Sequence, residues 1–298
     1  MGGDRVVNDS DTAASPGARL RAQLGAGGLI VAPGIFDGLS AHLVRRMGFR
    51  AGYLTGAGVA ASGFGLPDVG LVGMAEMVER VAMVTGVLGE IPLIADADTG
   101  YGPPASAART VRAYEQAGAA AIQLEDQAFP KRCGHLAGKR IVTAEAFLAQ
   151  LGAARDARRD ALIIARTDAR AISGLDEAIE RANAYAAAGA DVIFIEAPRS
   201  VDEIARIGRE VAAPKLINIV AGGLTPEMDH AALAALGFAI AIYPTTALLA
   251  ATDAVVKAYA GLAGSDTGLS TATMEDFFRL VGLDDWSGIS DRWPVPGE

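Results

Sequence analysis

The chain has 298 residues, of which 51% are hydrophobic and 20% charged, with a formal net charge of -9. That is enough apolar material for one large domain or two small ones, and the acidic balance argues against a nucleic-acid groove, which needs a basic stripe. A single cysteine, Cys133, excludes an intramolecular disulfide and a multi-cysteine structural zinc site. No apolar leader follows a basic segment, and the longest apolar runs read as strands or Ala-rich helices too short or too interrupted to span a bilayer. A cytoplasmic protein with no membrane and no nucleic-acid partner is expected.

Residues 1–17 are polar, rich in Gly, Asp and Ser, and read as a disordered tail. Residues 18–24 read as a helix and 29–32 as a first strand closed by Pro33 and Gly34. A helix over 40–47 ends at Gly48. A second strand, 51–54, runs into Thr55, Gly56, Ala57 and Gly58, read as a loop whose backbone can approach a ligand. A long Gly-bearing segment, 60–72, carries Asp68, and a helix follows over 74–85. From there strands and helices alternate. The strands are 92–97, 120–125, 161–166, 191–196, 215–220 and 238–243. The helices are 105–117, 143–157, 175–188, 201–210, 226–236 and 246–261. A loop over 126–142 interrupts the rhythm.

Apolar strands each followed by a helix imply a parallel sheet wrapped in helices. Eight such units in roughly 250 residues fit a closed (β/α)8 TIM-type barrel over 18–262. A doubly wound open sheet fits less well, because no Gly-x-Gly-x-x-Gly follows the first strand. Residues 263–298 form a C-terminal helical extension. Its helix, 272–281, has an apolar face for which a neighbouring subunit is the expected cover, and the end, with Trp286 and Trp293, reads as loose.

In such barrels the C-terminal ends of the strands form the active face. Here those ends carry Tyr53, Thr55, Asp96, Asp98, Glu125, Asp126, Arg166, Asp168, Glu196, Asn218 and Tyr243. Asp96 and Asp98 are two apart, so on an extended strand both point to one side. Paired acids at the end of a buried strand call for a cation between them. Asp96, Asp98 and Glu125, with Asp68, suit Mg²⁺, or Mn²⁺ in its place, because such ions take oxygen ligands and keep several waters. Arg166 can fork onto a substrate carboxylate, or pair with Glu196. Asn218 adds a neutral donor, and Gly56 and Ala57 offer backbone N–H groups. Cys133 lies among Lys131, Arg132 and His135, cations that make a thiol exchange protons more readily. Gly134 and Gly138 give the loop the freedom to act as a lid.

Five pieces together resemble the isocitrate lyase / phosphoenolpyruvate mutase superfamily. They are Asp96-Ala97-Asp98-Thr99-Gly100-Tyr101-Gly102, Leu124-Glu125-Asp126-Gln127, Lys131-Arg132-Cys133-Gly134-His135, Ala165-Arg166-Thr167-Asp168-Ala169 and Ile195-Glu196-Ala197-Pro198. The Lys-Arg-Cys-Gly-His block marks the lyase branch, which includes 2,3-dimethylmalate and methylisocitrate lyases. The resemblance implies a homotetrameric carbon–carbon lyase with C-terminal helices exchanged between subunits, acting on a small carboxylate. It implies Asp96 as direct metal ligand, with Asp98, Glu125 and Asp68 holding metal-bound water. Tyr53, Thr55, Gly56, Ala57, Lys131, Arg132, Gly134, Arg166, Glu196 and Asn218 would line the substrate site. Cys133 would donate the proton, with His135 as a second shuttle. Alternatives within reach are a phosphonate P–C bond enzyme, an oxaloacetate hydrolase or decarboxylase, and a non-catalytic ligand-binding barrel. Where the family commonly carries Asn-x-x-Glu-Gly-Gly, this chain has Asn218-Ile219-Val220-Ala221-Gly222-Gly223, which removes a carboxylate expected near Arg166. Pro244 stands where a serine would favour hydrolysis.

Overall fold

The computed structural model describes residues 14–134, 136, 138–264, 269 and 273–293. Eight parallel strands close a barrel in sequence order: β1 (Ile30–Ile35), β2 (Gly52–Leu54), β3 (Leu93–Asp96), β4 (Ala121–Glu125), β5 (Leu162–Thr167), β6 (Val192–Ile195), β7 (Lys215–Asn218) and β8 (Phe238–Tyr243). The helices up to the barrel's midpoint are α1 (Pro16–Gly25), α2 (Gly38–Arg46), α3 (Gly56–Phe64), α4 (Met74–Leu88), α5 (Pro104–Gln116) and α6 (Ala144–Ala157). Those that follow are α7 (Ala169–Ile172), α8 (Leu175–Ala187), α9 (Val201–Glu210), α10 (His230–Ala235), α11 (Thr246–Ala263), α12 (Met274–Leu280) and α13 (Leu283–Arg292).

The strands are buried on both faces, as a helix-wrapped parallel barrel requires: β2 to β7 are buried at every residue. Inward-facing Ile30, Ile94, Ile164, Phe194, Leu216 and Ile240 fill the barrel interior, and Leu20 of α1 joins them. A larger core lies between strands and helices, with Leu54, Val81, Tyr114, Phe147 and Tyr185 fully or almost fully buried. Helix starts follow their caps. Asp37 and Ser40 form a capping box on α2, and Thr143 and Ser200 accept backbone N–H bonds at α6 and α9.

Several sequence boundaries move. The tail expected over 1–17 gives way to a helix from Pro16, capped by Ser15, while residues 1–13 lie outside the described ones. β1 does not stop at Pro33 but runs through it to Ile35. Gly34 permits this, because a Cβ there would sit 2.0 Å from the Pro244 carbonyl oxygen, where the barrel closes onto β8. The loop expected at 55–58 is the first turn of α3. The end expected to be loose contains α13, which includes Trp286.

The two ends of the C-terminal segment differ. Met274, Phe277 and Phe278 of α12, with Leu283, pack onto Ala57, Cys133, Val220 and Leu248 at the mouth of their own barrel. The apolar face assigned from sequence to a neighbouring subunit is therefore covered within the chain. α11 is the reverse: among its 18 residues only Leu248 is buried, and Tyr259 and Leu262 are 66% and 85% exposed. Its length and composition also meet the requirement for crossing a bilayer, contrary to the sequence reading that no run is long enough. In the fold it is the eighth barrel helix, with its first turn against β1.

Candidate active site

The polar strand ends meet at the C-terminal mouth of the barrel. Thr55 caps α3, accepting from the Gly58 N–H at 3.2 Å, so the first turn of that helix faces the mouth. The Gly56 N–H lies 3.4 Å from Asp96 Oδ2, and the positive end of a helix favours such an anion. Asp96 Oδ1 accepts from Gln123 Nε2 at 3.3 Å and from the Asp98 N–H at 3.1 Å. Tyr53 donates its phenol to Gln123 Oε1 at 3.3 Å, completing a relay from β2 through β4 to Asp96. Burial first, and Asp96 second, hold the Tyr53 hydroxyl well above its ordinary pKa, so it remains a donor.

Asp96 and Asp98 do not share a side through strand periodicity. β3 ends at Asp96, and Asp98 turns through a left-handed conformation with φ 46°. Both still reach the same rim, because the turn brings Asp98 back toward Lys131. That lysine, 4% exposed, hydrogen-bonds Asp68, and its Nζ lies 2.7 Å from Asp98 Oδ1. Lys131 thus bridges two buried carboxylates, Asp68 and Asp98. Burial drives the Asp98 carboxyl up to about 7, with Lys131 opposing and Asp96 adding to the rise. Burial pushes the Lys131 ammonium down, but Asp68, Asp98, Glu125 and Asp96 more than reverse this and hold it well above its usual range.

Glu125, 2% exposed, places Oε2 3.2 Å from Arg166 Nε and leaves Oε1 with no hydrogen-bond partner. Burial, outweighing Arg166, raises its pKa well above normal. Among the described residues no three His, Cys, Asp or Glu side chains converge tightly enough to enclose a metal ion. Asp96, Asp98 and Glu125 share the rim, with Lys131 paired to Asp98 and Arg166 to Glu125. The unpaired Oε1 of Glu125, in the same cavity as Asp96, fits a hard divalent cation held by one or two carboxylates and otherwise through water.

Arg166 forks not onto Glu196 but onto Asp168, with Nε to Oδ2 at 2.8 Å and Nη2 to Oδ1 at 3.1 Å. Glu196 stands at 3.6 Å, and Asn218 Nδ2 approaches its two oxygens at 3.3 and 3.4 Å. With Glu125 and Asp168 beside it, Arg166 is not short of acids, so alanine at 221 leaves no unpaired guanidinium. Lys139, from the 126–142 loop, reaches Asp168 Oδ1 at 2.7 Å and the Gly134 carbonyl at 2.8 Å. Burial raises the Asp168 carboxyl, but Arg166 and then Lys139 override it and bring it down to about 2.

The same loop closes the mouth. Gln127 clamps the Arg132 backbone, donating to its carbonyl at 2.9 Å and accepting its N–H at 3.0 Å. The Cys133 N–H donates to the Asp68 carbonyl at 3.1 Å. Gly134 passes so close that a Cβ would lie 2.7 Å from Arg166 Nη2 and 2.9 Å from Glu196 Oε1. Cys133 is 7% exposed and packs with the α12 side chains. Lys131, expected to flank the thiol, spends its charge on the acids instead.

One cavity of ≈ 40 Å³ is lined by Tyr53, Thr55, Ala57, Asp68, Asp96, Glu125, Lys131, Arg132, Cys133, Gly134, Arg166 and Asn218, all singled out from sequence. Gly56 and Asp98 line a small adjoining cavity with Asp68, and Glu196 lies fully buried behind Arg166. His135 lies outside the described residues. The sequence reading missed Asp168 as the partner of Arg166, and Lys139 and Gln123 altogether. Gln123 was findable: it is the one polar residue besides Glu125 in an otherwise apolar strand, two before Glu125 and so on its side. Of the remaining wall only Pro244 was singled out from sequence; Phe194, Val220, Ile242, Thr245 and Met274 carried no such signal.

Comparison with known proteins matches residues 20–263 to the family model described as phosphoenolpyruvate phosphomutase. The chain is 46% identical over 273 residues to a 2,3-dimethylmalate lyase of Eubacterium barkeri, covering 90% of this chain and 94% of that one. It is 42% identical over 275 residues to a 2-methylisocitrate lyase of Aeropyrum pernix, covering 91% and 89%. A crystal structure of a 2,3-dimethylmalate lyase superposes with a TM-score of 0.81 at 38% identity, covering 94% of this chain and 95% of that one.

Proposed function

The chain belongs to the isocitrate lyase / phosphoenolpyruvate mutase superfamily, in its lyase branch, and from that premise we propose how its site works. It is a carbon–carbon lyase that cleaves a 2-hydroxy di- or tricarboxylate into a 2-oxo acid and a second carboxylate. The substrate is a substituted malate such as 2,3-dimethylmalate, or 2-methylisocitrate. The observation that carries the reading is one cavity at the strand ends lined by Asp96, by Glu125 with its unpaired oxygen, by Arg166 and by the Cys133 thiol.

Asp96 would hold the magnesium ion, with Asp98, Glu125 and Asp68 meeting its water. When bound, that ion would supply acidification of the substrate hydroxyl, whose proton passes to the Glu125 carboxylate, which has one oxygen unpaired in the same cavity. The chain's own groups do the rest. The N–H groups of Gly56 and Ala57 at the start of α3, with the Thr55 hydroxyl, take one substrate carboxylate. Tyr53 and Gln123 hold Asp96 in a single orientation. Arg166 stabilises the negative charge that builds on the departing fragment as its bond breaks, and Asn218 assists. Asp168, Glu125 and Glu196 keep the guanidinium planar to that fragment and prevent its swinging free. The Cys133 thiol then delivers the proton to the carbanionic carbon. α12 and the apolar cluster behind Cys133 exclude bulk water, so the thiol rather than solvent is the proton source.

The test is release of 2-oxo acid from 2,3-dimethylmalate or 2-methylisocitrate. It is expected to vanish when divalent ions are chelated and to fall about 10²- to 10⁴-fold in Cys133→Ser, the range for loss of a positioned proton donor. Cys133→Ser turning over like wild type would refute the role given to the thiol.

The reading extends to assembly as a homotetramer in which α11 lies against a neighbouring barrel. Its support is the exposed apolar length of α11 and a groove of ≈ 430 Å³ beside its first turn, walled by Val31, Pro33, Phe49, Tyr243 and Ala250. Sedimentation should give four times the chain mass of 30.5 kDa, and a monomer at micromolar concentration would exclude this assembly.

A further inference from the structure

Across the barrel from β3 and β4, the cavity wall comes from β7, β8 and α12. Val220, Ile242, Pro244 and Met274 make it mostly apolar, and Asn218 of β7 and Thr245 are its polar members. Thr245 is 3% exposed, lines the cavity, and its Oγ1 is buried with no hydrogen-bond partner.

The ordinary explanation for a threonine here is helix capping, since Thr245 is the N-cap of α11. That explanation fails. Ser15, Thr55, Thr143, Ser200 and Thr273, which cap other helices, each accept a backbone N–H. Thr245 makes no such bond, and its backbone, φ -115° and ψ -8°, is helical rather than extended. The hydroxyl is thus withheld from its local partner and buried beside the cavity. A buried hydroxyl left unpaired is a standing cost, and satisfied ones are the rule. At the N-terminus of an 18-residue helix its natural partner is an anion.

We propose that Thr245 is a specificity-determining residue, its Oγ1–H donating to the carboxylate of a carboxymethyl substituent on carbon 3 of the substrate. The assignment rests on the lyase reading above. It selects a carboxymethyl substituent, as in 2-methylisocitrate, over the methyl of 2,3-dimethylmalate, which would leave the hydroxyl unpaired. A site built to hydrogen-bond one group discriminates strongly against the analogue lacking it.

The experiment compares kcat/KM for the two acids in wild type, Thr245→Val and Thr245→Ser. Thr245→Val is expected to lower the ratio of tricarboxylate to dimethylmalate activity by about 10- to 100-fold, the worth of a hydrogen bond to a charged group, mainly through KM. Thr245→Ser is expected to restore the ratio. A merely structural role would leave the ratio unmoved, so an unchanged ratio overturns the proposal. Thermal unfolding checks the fold, and Thr245→Val should melt no lower than wild type, having lost no protein hydrogen bond. If wild type releases 2-oxo acid from neither substrate, the lyase reading fails separately. Thr245 is then judged by calorimetric binding of tricarballylate against methylsuccinate with magnesium present. Loss of the tricarballylate preference in Thr245→Val upholds the assignment, and equal preference in both proteins overturns it.

Discussion

Glu125 and Asp126 are neighbours on one strand end, equally buried, and have opposite surroundings. Glu125 faces the cavity with one oxygen unpaired. Asp126 faces outward and is saturated. It accepts from Thr167 Oγ1 at 2.7 Å, the Asp168 N–H at 3.0 Å, Tyr185 at 2.9 Å and Arg181 at 3.2 Å. The contrast separates scaffold from site. A buried carboxylate that serves the fold collects every donor it can, because each unpaired lone pair costs stability. One that serves a ligand stays under-satisfied until the ligand arrives.

The contrast can be broken in three places. Removing the saturated acid should do the most damage to the fold. Asp126→Ala strands Arg181, Tyr185 and Thr167 and is expected to cost about 3–5 kcal/mol, as when a buried pair loses one partner. Urea unfolding measures this, and a loss below about 1 kcal/mol would remove the distinction drawn here.

Asp168 stands between the two cases, since its carboxylate serves Arg166 on the cavity side and its backbone N–H donates to Asp126 of the scaffold. Its folded pKa of about 2 lies below the ordinary value near 3.9, so the group stabilises the fold above about pH 4. That contribution, about 2–3 kcal/mol, is lost as pH falls from about 4 through 2. Melting temperature should drop across that window in wild type, and the drop should be shallower in Asp168→Asn. Parallel curves would contradict the role of Arg166 and Lys139 in depressing it.

The smallest stability effect is expected at the under-satisfied acid. Glu125→Gln removes a charge that burial disfavours, while Arg166 keeps Asp168 and Glu196. Unfolding free energy should stay within about 1 kcal/mol of wild type, while turnover falls at least about tenfold. A large loss of stability would place Glu125 with the scaffold.

Much of the site was legible because it is written at strand ends. Asp96, Glu125, Arg166, Glu196 and Asn218 each follow an apolar run, and barrel topology turns such positions into a common rim. Asp98 reached the rim for a different reason than strand periodicity gave, since a left-handed turn rather than an extended strand carries it there. Lys139 and Thr245 were illegible. One sits in a loop without periodicity. The other occupies a helix start, where threonine is ordinarily a cap.

The alternation of apolar strands and capped helices, and the residue types at each strand end, come from local chemistry that the chain carries without its fold. Their order around the barrel follows from the same pattern. Which acid each cation takes was decided only when the barrel closed. Lys131 meets Asp68 across 63 residues of chain, and Arg166 chooses Asp168 over Glu196 by fractions of an ångström. Charge pairing in a buried site depends on distance and geometry in three dimensions, and sequence spacing does not encode either.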